Sequence, residues 1–384
     1  MPTDGAVQHY FDHTATSWPK PAEVTDAMMR AMTEAGGNPG RSAHPLALGA
    51  SRTIAASRSS LASLLGVADE RAIAFTPGCT SALNIAIKGG VRRKDRVVVS
   101  SVEHNAVVRT LAFLEARGLK VVTVQADSSG RVDPDAVESA VMAAPTAAII
   151  CQHVSNVTGT IQPIGDLVDI AHDHGAVMIV DGAQSLGHIA VDLGTLGADA
   201  YAFTGHKGLL GPQGTGGLYL APGFEPTEIV QGGGGETRTP EQPTERPDRY
   251  ESGTPNTPGI AGLGAGAEIV RRTGDELRAT ERRLTHRLHE ALSQIPGIRV
   301  LGPALGVERG SLVSVVHERL DADEMAFTLD RRYGIASRAG LHCTPWTHRT
   351  IGTIETGALR FSLGWGLTDD DVDAAIDAMR EICA

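Results

Sequence analysis

The residues with the clearest chemical potential are a lysine and an aspartate that each follow an apolar stretch. Lys207 comes just after the run at 200–204, in a glycine-rich segment, and Asp181 ends the run that begins at 176. The carboxyl ends of parallel strands meet at one edge of a sheet, where open α/β sheets bind ligands, so both side chains can share a crevice. A lysine for a Schiff base and an aspartate for a pyridinium nitrogen are what pyridoxal phosphate (PLP) requires.

The plain alternative is that Lys207 is a solvated loop residue. The chain otherwise prefers arginine, which cannot form an imine, and its only lysines are Lys20, Lys88, Lys94, Lys120 and Lys207. Lys207 is the one that follows a buried-looking strand inside a glycine-rich run. This context favours the cofactor-binding interpretation.

Two other segments are expected at the same sheet edge. The strand at 72–76 leads into a glycine turn and then Thr80 at a helix start, which is suited to binding an anion. A simple helix N-cap is the alternative for such hydroxyl residues. His104 follows the strand at 96–100, and it could lie flat against an aromatic cofactor or be an ordinary structural histidine.

Composition limits the classes of function. The chain has 384 residues, a net charge of −11 and 21% charged residues. The length favours two domains, and the acidic balance without a Lys/Arg run argues against nucleic-acid binding. No stretch of about 18 apolar residues is present to span a membrane.

The cysteines and the start of the chain indicate a compartment. Residues 1–20 lack the basic start and apolar run of a signal peptide. The four cysteines are scattered and do not form a disulfide framework: Cys79, Cys151, Cys343 and Cys383. We therefore expect a cytoplasmic protein in which one of these thiols is a candidate for a chemical role.

Alternating strand and helix patterns predict an α/β fold with a mostly parallel sheet covered on both faces. A pair of strands near 216–220 is expected to complete this sheet, and the remainder reads as a smaller α+β domain. We predict three parts: an N-terminal segment (1–20) packing on the small domain, a large domain (21–262) and a small domain (263–384). The Gly/Pro-rich segment at 231–249 is either a lid or a linker.

Several motifs, taken together, resemble those of a known family. The chain resembles the class V aminotransferase group of PLP enzymes, and within it the NifS/SufS-type cysteine desulfurases and selenocysteine lyases. The motifs lie at 103–105, 155–159, 180–185, 204–207, 252–256, around Cys343 and at 360–362. The resemblance spans nearly the whole chain and implies fold type I, with a seven-stranded sheet in the large domain.

The resemblance implies roles for residues around the cofactor ring. Lys207 would be the Schiff-base lysine, and Asp181 would keep the pyridine nitrogen protonated. His104 would stack on the ring and take part in catalysis. Gln184 would hydrogen-bond the ring hydroxyl.

The resemblance also implies how the cofactor phosphate is held. Thr80, Thr204 and His206 would bind it, and Cys79 would line the same turn. Thr254 would reach the phosphate of the other subunit, which implies a homodimer.

The substrate carboxylate would be held by Asn156 and Arg360, because a guanidinium fork matches a carboxylate at two points. Arg41 and His13 are further candidate substrate neighbours, and an ordinary surface position is the alternative for Arg41. His13 stands where the family usually has an asparagine, and so it is either an added polar contact or neutral.

Cys343 would decide the reaction. Its thiolate would attack the sulfur of bound cysteine after Lys207 removes the α-proton, which leaves a persulfide and releases alanine. Either His342 or the charge of the cofactor could favour the thiolate. The alternative is that Cys343 is an inert loop cysteine. The short spacing between Cys343 and Arg360 resembles the SufS-type branch, whose members often use a separate sulfur-acceptor protein.

Two other functions remain open at this stage. A selenocysteine lyase, or another carbon–sulfur lyase, would use the same residues with Cys343 less essential. A degenerate PLP fold that only binds a partner is the non-enzymatic alternative, although the intact set of Lys207, Asp181 and His104 argues against it.

Overall fold

The fold is described from a computed structural model, and the description covers residues 7–40, 42–92, 94–234 and 240–384. The strands in these ranges are β1 (His9–Tyr10), β2 (Ile73–Thr76), β3 (Arg96–Ser100), β4 (Lys120–Val124), β5 (Ala148–Gln152), β6 (Val177–Asp181), β7 (Ala200–Thr204), β8 (Gly216–Leu220), β9 (Ile298–Leu301), β10 (Leu312–His317), β11 (Ile335–Ala336) and β12 (Leu359–Ser362). The helices are α1 (Ala22–Glu34), α2 (Pro45–Leu64), α3 (Cys79–Gly90), α4 (Asn105–Glu115), α5 (Pro134–Met142), α6 (Ile164–Asp173), α7 (Leu193–Leu196), α8 (Thr257–Ser293), α9 (Ala322–Tyr333), α10 (Pro345–Thr350) and α11 (Asp369–Cys383). No helix in these ranges combines the length and apolar character that crossing a bilayer requires.

The larger sheet has seven strands in the order β2-β8-β7-β6-β5-β3-β4. Only β8 runs antiparallel to its neighbours, so the predicted mostly parallel α/β sheet is confirmed. The prediction of a pair of strands near 216–220 is wrong. A single strand, β8, occupies this stretch, because β2 from earlier in the chain pairs with its free edge.

Continuous apolar runs place the central strands of this sheet in the interior. Every residue of β5, β7 and β8 is buried, as expected for strands with both faces covered. One apolar core includes Leu83 of α3 and Leu111 of α4, and the other includes Leu61 of α2 and Leu167 of α6. Helices therefore cover both faces, and the carboxyl ends of β3, β5, β6 and β7 open at one edge.

A second, antiparallel sheet has the order β12-β10-β9 and packs on α8, α9 and α11. The N-terminal segment joins this part, because β1 pairs with β11 and Phe11 is buried in the same core. Helix α8 runs from the large sheet to this core without interruption. The predicted boundary at 262/263 falls inside α8, and the division into domains stays a prediction.

Candidate active site

A cavity of about 260 Å³ lies at the carboxyl edge of the large sheet, where the sequence predicted a ligand site. It is bordered by the ends of β5, β6 and β7 and by the starts of α3 and α4. Nine predicted site residues line it: Cys79, Thr80, His104, Asn156, Asp181, Gln184, Thr204, His206 and Lys207. The parallel topology brings together residues that are up to 128 positions apart in the chain, from 79 to 207.

Asp181, the last residue of β6, presents a buried carboxylate to this cavity. Its Oδ1 accepts hydrogen bonds from the backbone N–H of Ala183 at 3.0 Å and from the Cys79 thiol at 3.3 Å. Burial, and then the Asp181 charge, raise the pKa of Cys79, so Cys79 stays a thiol and acts as a donor. Asp181 Oδ2 accepts no hydrogen bond from the described residues and is free for a ligand.

Lys207 lies in the tight loop after β7. Gly205 N–H donates to Thr215 O at 2.8 Å, and Leu210 N–H donates to Lys207 O at 2.9 Å, so both sides of the lysine are fixed. Burial lowers the pKa of the Lys207 amine, while the Asp181 charge opposes this shift. Burial thus favours the neutral amine, which is the nucleophilic form.

His104 follows β3 and caps helix α4. Its Nδ1 accepts a hydrogen bond from the Ala106 N–H at 3.1 Å, which fixes the ring and leaves Nδ1 without a proton. Burial lowers the pKa of His104, and its imidazole is therefore neutral at pH 7. Gln184 is held on the other side of the cavity, because its Nε2 donates to Thr14 O at 3.1 Å.

The opposite end of the cavity is suited to an anion. Helix α3 begins at Cys79, and its N-cap Gly78 provides no side-chain hydrogen bond, so the first N–H groups are available. Thr80 and His206 lie beside them; His206 Nδ1 is buried and has no partner among the described residues. Thr204 also lines this end, with its hydroxyl 3.4 Å from Thr215 O.

Thr254 lies outside this cavity. It is exposed and lines a neighbouring cavity of about 500 Å³, which shares Pro77, Thr80, Ser81 and Gly214 with the first. Thr254 is therefore next to the anion-binding end without facing it in this chain.

The Cys343 loop is held at the rim by contacts with the large sheet. Asn105 N–H donates to Cys343 O at 3.0 Å, and Asn156 Nδ2 donates to His342 O at 2.8 Å. His342 and Cys343 have φ angles of +49° and +61°, a left-handed conformation that costs about 1–2 kcal/mol per residue outside glycine. These anchors offset that cost and leave Cys343 exposed, although it does not line the cavity itself.

The expected influence of His342 on the thiol is not supported by the structure. Burial, followed by the charge of Arg360, lowers the pKa of His342 to about 2, so the ring is neutral and provides no positive charge. The cation near the thiol is Arg338, whose Nη2 lies 4.0 Å from Cys343 Sγ. Sequence reasoning missed Arg338, although an arginine five residues before the cysteine was a visible signal.

Arg360 is almost completely buried, with 1% exposure, and its fork is already partly occupied. Nη2 donates to Asp12 Oδ1 at 2.8 Å and Nη1 donates to Asn156 O at 3.0 Å, while Nε has no partner among the described residues. Asn156 is also engaged, because its Oδ1 accepts from Thr344 and its Nδ2 holds the Cys343 loop. One N–H of the Asn156 amide remains for a ligand.

One predicted substrate neighbour, His13, does not line the cavity. His13 is buried, its ring packs edge-on against Tyr10 at 5.0 Å, and burial lowers its pKa to about 3. The ring packs closely on Gly364, where an added Cβ would lie 2.5 Å from His13 Nδ1. Arg41 lies outside the described residues.

The residues of the cavity fit PLP. The amine of Lys207, the carboxylate of Asp181 and the neutral ring of His104 surround one space, and the helix α3 N-terminus closes one end. A planar ring with a basic nitrogen at one end and a phosphate at the other matches this arrangement of donors. The described residues contain no group of three or more His, Cys, Asp and Glu side chains that could hold a metal ion.

Comparison with known proteins gives a consistent result. A family model described as aminotransferase class-V matches residues 9–375. A probable cysteine desulfurase of Methanothermobacter thermautotrophicus is 34% identical, over 97% of this chain and 94% of that protein. Cysteine desulfurase IscS of Methanosarcina thermophila is 32% identical, over 97% of this chain and 91% of that protein.

Solved structures agree with the sequence relatives. The apo structure of a cysteine desulfurase from Thermococcus onnurineus has a TM-score of 0.90 and 31% identity, covering 98% of this chain and 94% of the other. The cysteine desulfurase CsdA from Escherichia coli, in an S-sulfonic acid form, has a TM-score of 0.86 and 29% identity, covering 100% of this chain and 96% of the other.

Proposed function

The chain belongs to the class-V aminotransferase family, and we propose that it is a PLP-dependent cysteine desulfurase. It converts L-cysteine to L-alanine and keeps the sulfur as a persulfide on Cys343. The observation that supports this most directly is the placement of Lys207, Asp181 and His104 around one cavity with the Cys343 loop anchored at its rim. Relatives named cysteine desulfurase over nearly their full length support the same reaction.

The proposed cofactor site uses the chain's own residues in three ways. Lys207 would hold PLP through its neutral amine and would also move the α-proton of the substrate. Asp181 would keep the pyridine nitrogen protonated, and His104 would lie against the ring. When bound, PLP supplies an electron sink for the substrate carbon atoms.

The sulfur step is assigned to Cys343. Its thiolate attacks the sulfur of bound cysteine, a sulfur–sulfur bond forms, and the carbon–sulfur bond breaks with its electron pair left on carbon. A proton then completes the methyl group, so that cysteine and the enzyme thiol become alanine and the enzyme persulfide. Arg338, with Nη2 4.0 Å from Cys343 Sγ, stabilises negative charge there.

The same geometry supports assignments for the substrate and the partners. We assign the substrate carboxylate to Arg360, with Asn156 beside it, so the substrate shares the guanidinium with Asp12. The exposed thiol of Cys343 leaves the sulfur accessible to an acceptor protein. Thr254 is assigned to the phosphate in the other subunit of a homodimer, and the four free cysteines favour a cytoplasmic location.

The test is to measure alanine and sulfide formed from L-cysteine by the PLP-loaded protein. Cys343→Ser should reduce the rate of formation of both products by at least about a hundredfold, because removing the nucleophile of an enzyme lowers kcat by several orders of magnitude. Cys383→Ala, which changes a buried thiol far from the site in α11, should keep the wild-type rate. Full product release by the Cys343 variant would contradict the proposal.

Turnover of L-selenocysteine separates this function from the alternative lyase. A Cys343→Ser variant that still releases selenide at the wild-type rate, while failing with cysteine, would identify a selenocysteine lyase. Protein that binds no PLP at all would instead identify a fold that serves only as a binding partner.

A further inference from the structure

A single backbone carbonyl next to Lys207 gathers an unusual number of donors. His206 O lies 2.8 Å from Ser17 N and 3.1 Å from each of Ser17 Oγ, Thr16 Oγ1 and Lys20 Nζ. All four donors belong to the short segment 16–20 that precedes α1. A carbonyl has two lone pairs, so this site is fully saturated and firmly held.

The hydrogen bonds of the Lys20 amine stay within this part of the structure. Its amine is partly buried and also donates to Ser17 Oγ at 2.7 Å. No carboxylate pairs with it among the described residues, and burial alone lowers its pKa to about 8. An ammonium group partly removed from water without a counter-charge is unfavourable unless its hydrogen bonds compensate, and here the carbonyl and Ser17 accept them.

The carbonyl has a direct mechanical link to the lysine that follows it. The peptide bond between His206 and Lys207 is planar, so fixing the oxygen also fixes the nitrogen and the orientation of the Lys207 Cα. Hydrogen bonds to Gly205 O from Gly211 N–H and to Lys207 O from Leu210 N–H hold the two flanking peptides. Segment 16–20 therefore supplies the remaining constraint on the Lys207 backbone.

The same stretch of chain also reaches the substrate side. Asp12 pairs with Arg360 at 2.8 Å, and Ser362 N–H donates to Phe11 O at 2.8 Å. Residues 11–20 thus contact the Lys207 loop at one end and the strand that carries Arg360 at the other. Loss of the Lys20 contact would remove the only charged donor of the four at the first end and leave the second end in place.

We propose that Lys20 is a positioning residue that orients Lys207 by anchoring the His206 carbonyl with a charge-assisted hydrogen bond. This inference rests on the proposed function, because it requires Lys207 to hold the cofactor. It assigns Lys20 no contact with the substrate or the reacting atoms. Lys20 therefore affects the placement of the cofactor and the rate of the chemical steps, and leaves binding of cysteine by Arg360 intact.

The test compares Lys20→Met with Lys20→Arg and with Lys94→Met, which changes an exposed lysine. Each PLP-loaded protein is examined by visible circular dichroism at the absorption band of the cofactor, which reports the asymmetry of the ring's surroundings. Lys20→Met should lose most of this signal per bound cofactor, and kcat should fall about tenfold, the effect expected of a small misplacement. KM for cysteine should stay within about twofold of wild type, and Lys20→Arg should recover part of the signal.

Ser17→Ala provides a second variant, which removes one donor and the acceptor of Lys20 without altering a charge, and should reduce the signal in the same direction. Lys20→Met with wild-type circular dichroism and kcat would overturn the inference, as would a loss that appears only as a lower melting temperature. A wild-type protein without any cofactor band would overturn the proposed function as well, so the two failures are distinguishable.

Discussion

At the scale of single residues, burial sets the protonation state of the groups around the cavity. It lowers the pKa of Lys207 and of His104, and it raises the pKa of Cys79. Each of these three groups is thereby shifted toward its uncharged form beside Asp181, the one carboxylate among the described residues that line the cavity. Cys343 is exposed whereas Cys79 is buried, which agrees with a reactive role for the first thiol and a structural role for the second.

Arg360→Lys tests the residue assigned to the substrate carboxylate. A lysine keeps the charge but loses the planar fork, so KM for L-cysteine should rise at least about tenfold, while PLP binding stays unchanged. Steady-state kinetics and a cofactor titration measure the two effects. Arg380→Lys, in the exposed last turn of α11, should match wild type. An unaltered KM would show that Arg360 does not bind the substrate carboxylate.

At the scale of elements, the Cys343 loop depends on contacts from the large sheet. Two consecutive left-handed residues, His342 and Cys343, are fixed by the backbone of Asn105 and by the side chain of Asn156. The thiol is therefore positioned by elements that also form the cofactor cavity. Its placement follows from tertiary contacts and not from the loop sequence.

Asn156→Ala tests this dependence. The change removes the hydrogen bonds to His342 O and from Thr344 Oγ1, and we expect about 1–3 kcal/mol of destabilisation together with a slower sulfur step. Single-turnover formation of alanine, measured beside the thermal unfolding midpoint, separates the two effects. Asn38→Ala, at an exposed position, is the control. A wild-type rate would show that the loop is positioned without Asn156.

The elements around the cavity show what the sequence could and could not predict. Apolar runs ending in Asp181 and Lys207 marked strand ends that the parallel sheet brings to one edge, and the structure places both there. Arg338 and the buried packing of His13 escaped prediction, because they depend on how the two sheets meet. The sequence predicted two strands near 216–220, where the structure has only β8. The strand that pairs with β8 is β2, which lies far away in the sequence and could not be identified from local patterns.

At the scale of the whole molecule, helix α8 connects the two sheets. The fold implied by the resemblance, PLP fold type I with a mostly parallel seven-stranded sheet, is confirmed by the topology and by the related solved structures. Close packing of α8 on the Lys207 loop requires glycine: a Cβ on Gly266 would lie 2.2 Å from Leu209 O. The helix and the loop are thus fitted backbone to backbone.

Gly266→Ala tests this fit. The added methyl group meets a backbone atom that cannot rotate away, so we expect about 1–3 kcal/mol of destabilisation and weaker PLP retention. Chemical denaturation and cofactor release measure both. Gly165→Ala in α6 is the matched control: nothing lies within 4 Å of its added Cβ, and it should be neutral or stabilising by up to about 1 kcal/mol. Equal stability of the two variants would contradict the close fit.

The most direct measurement of the central claim is the mass of the peptide that contains Cys343, taken after the PLP-loaded protein meets one equivalent of L-cysteine without an acceptor. Transfer of the substrate sulfur predicts one additional sulfur atom on Cys343, in an amount equal to the alanine formed. Alanine formed with Cys343 unmodified, or with the extra sulfur on Cys79, Cys151 or Cys383, would contradict it.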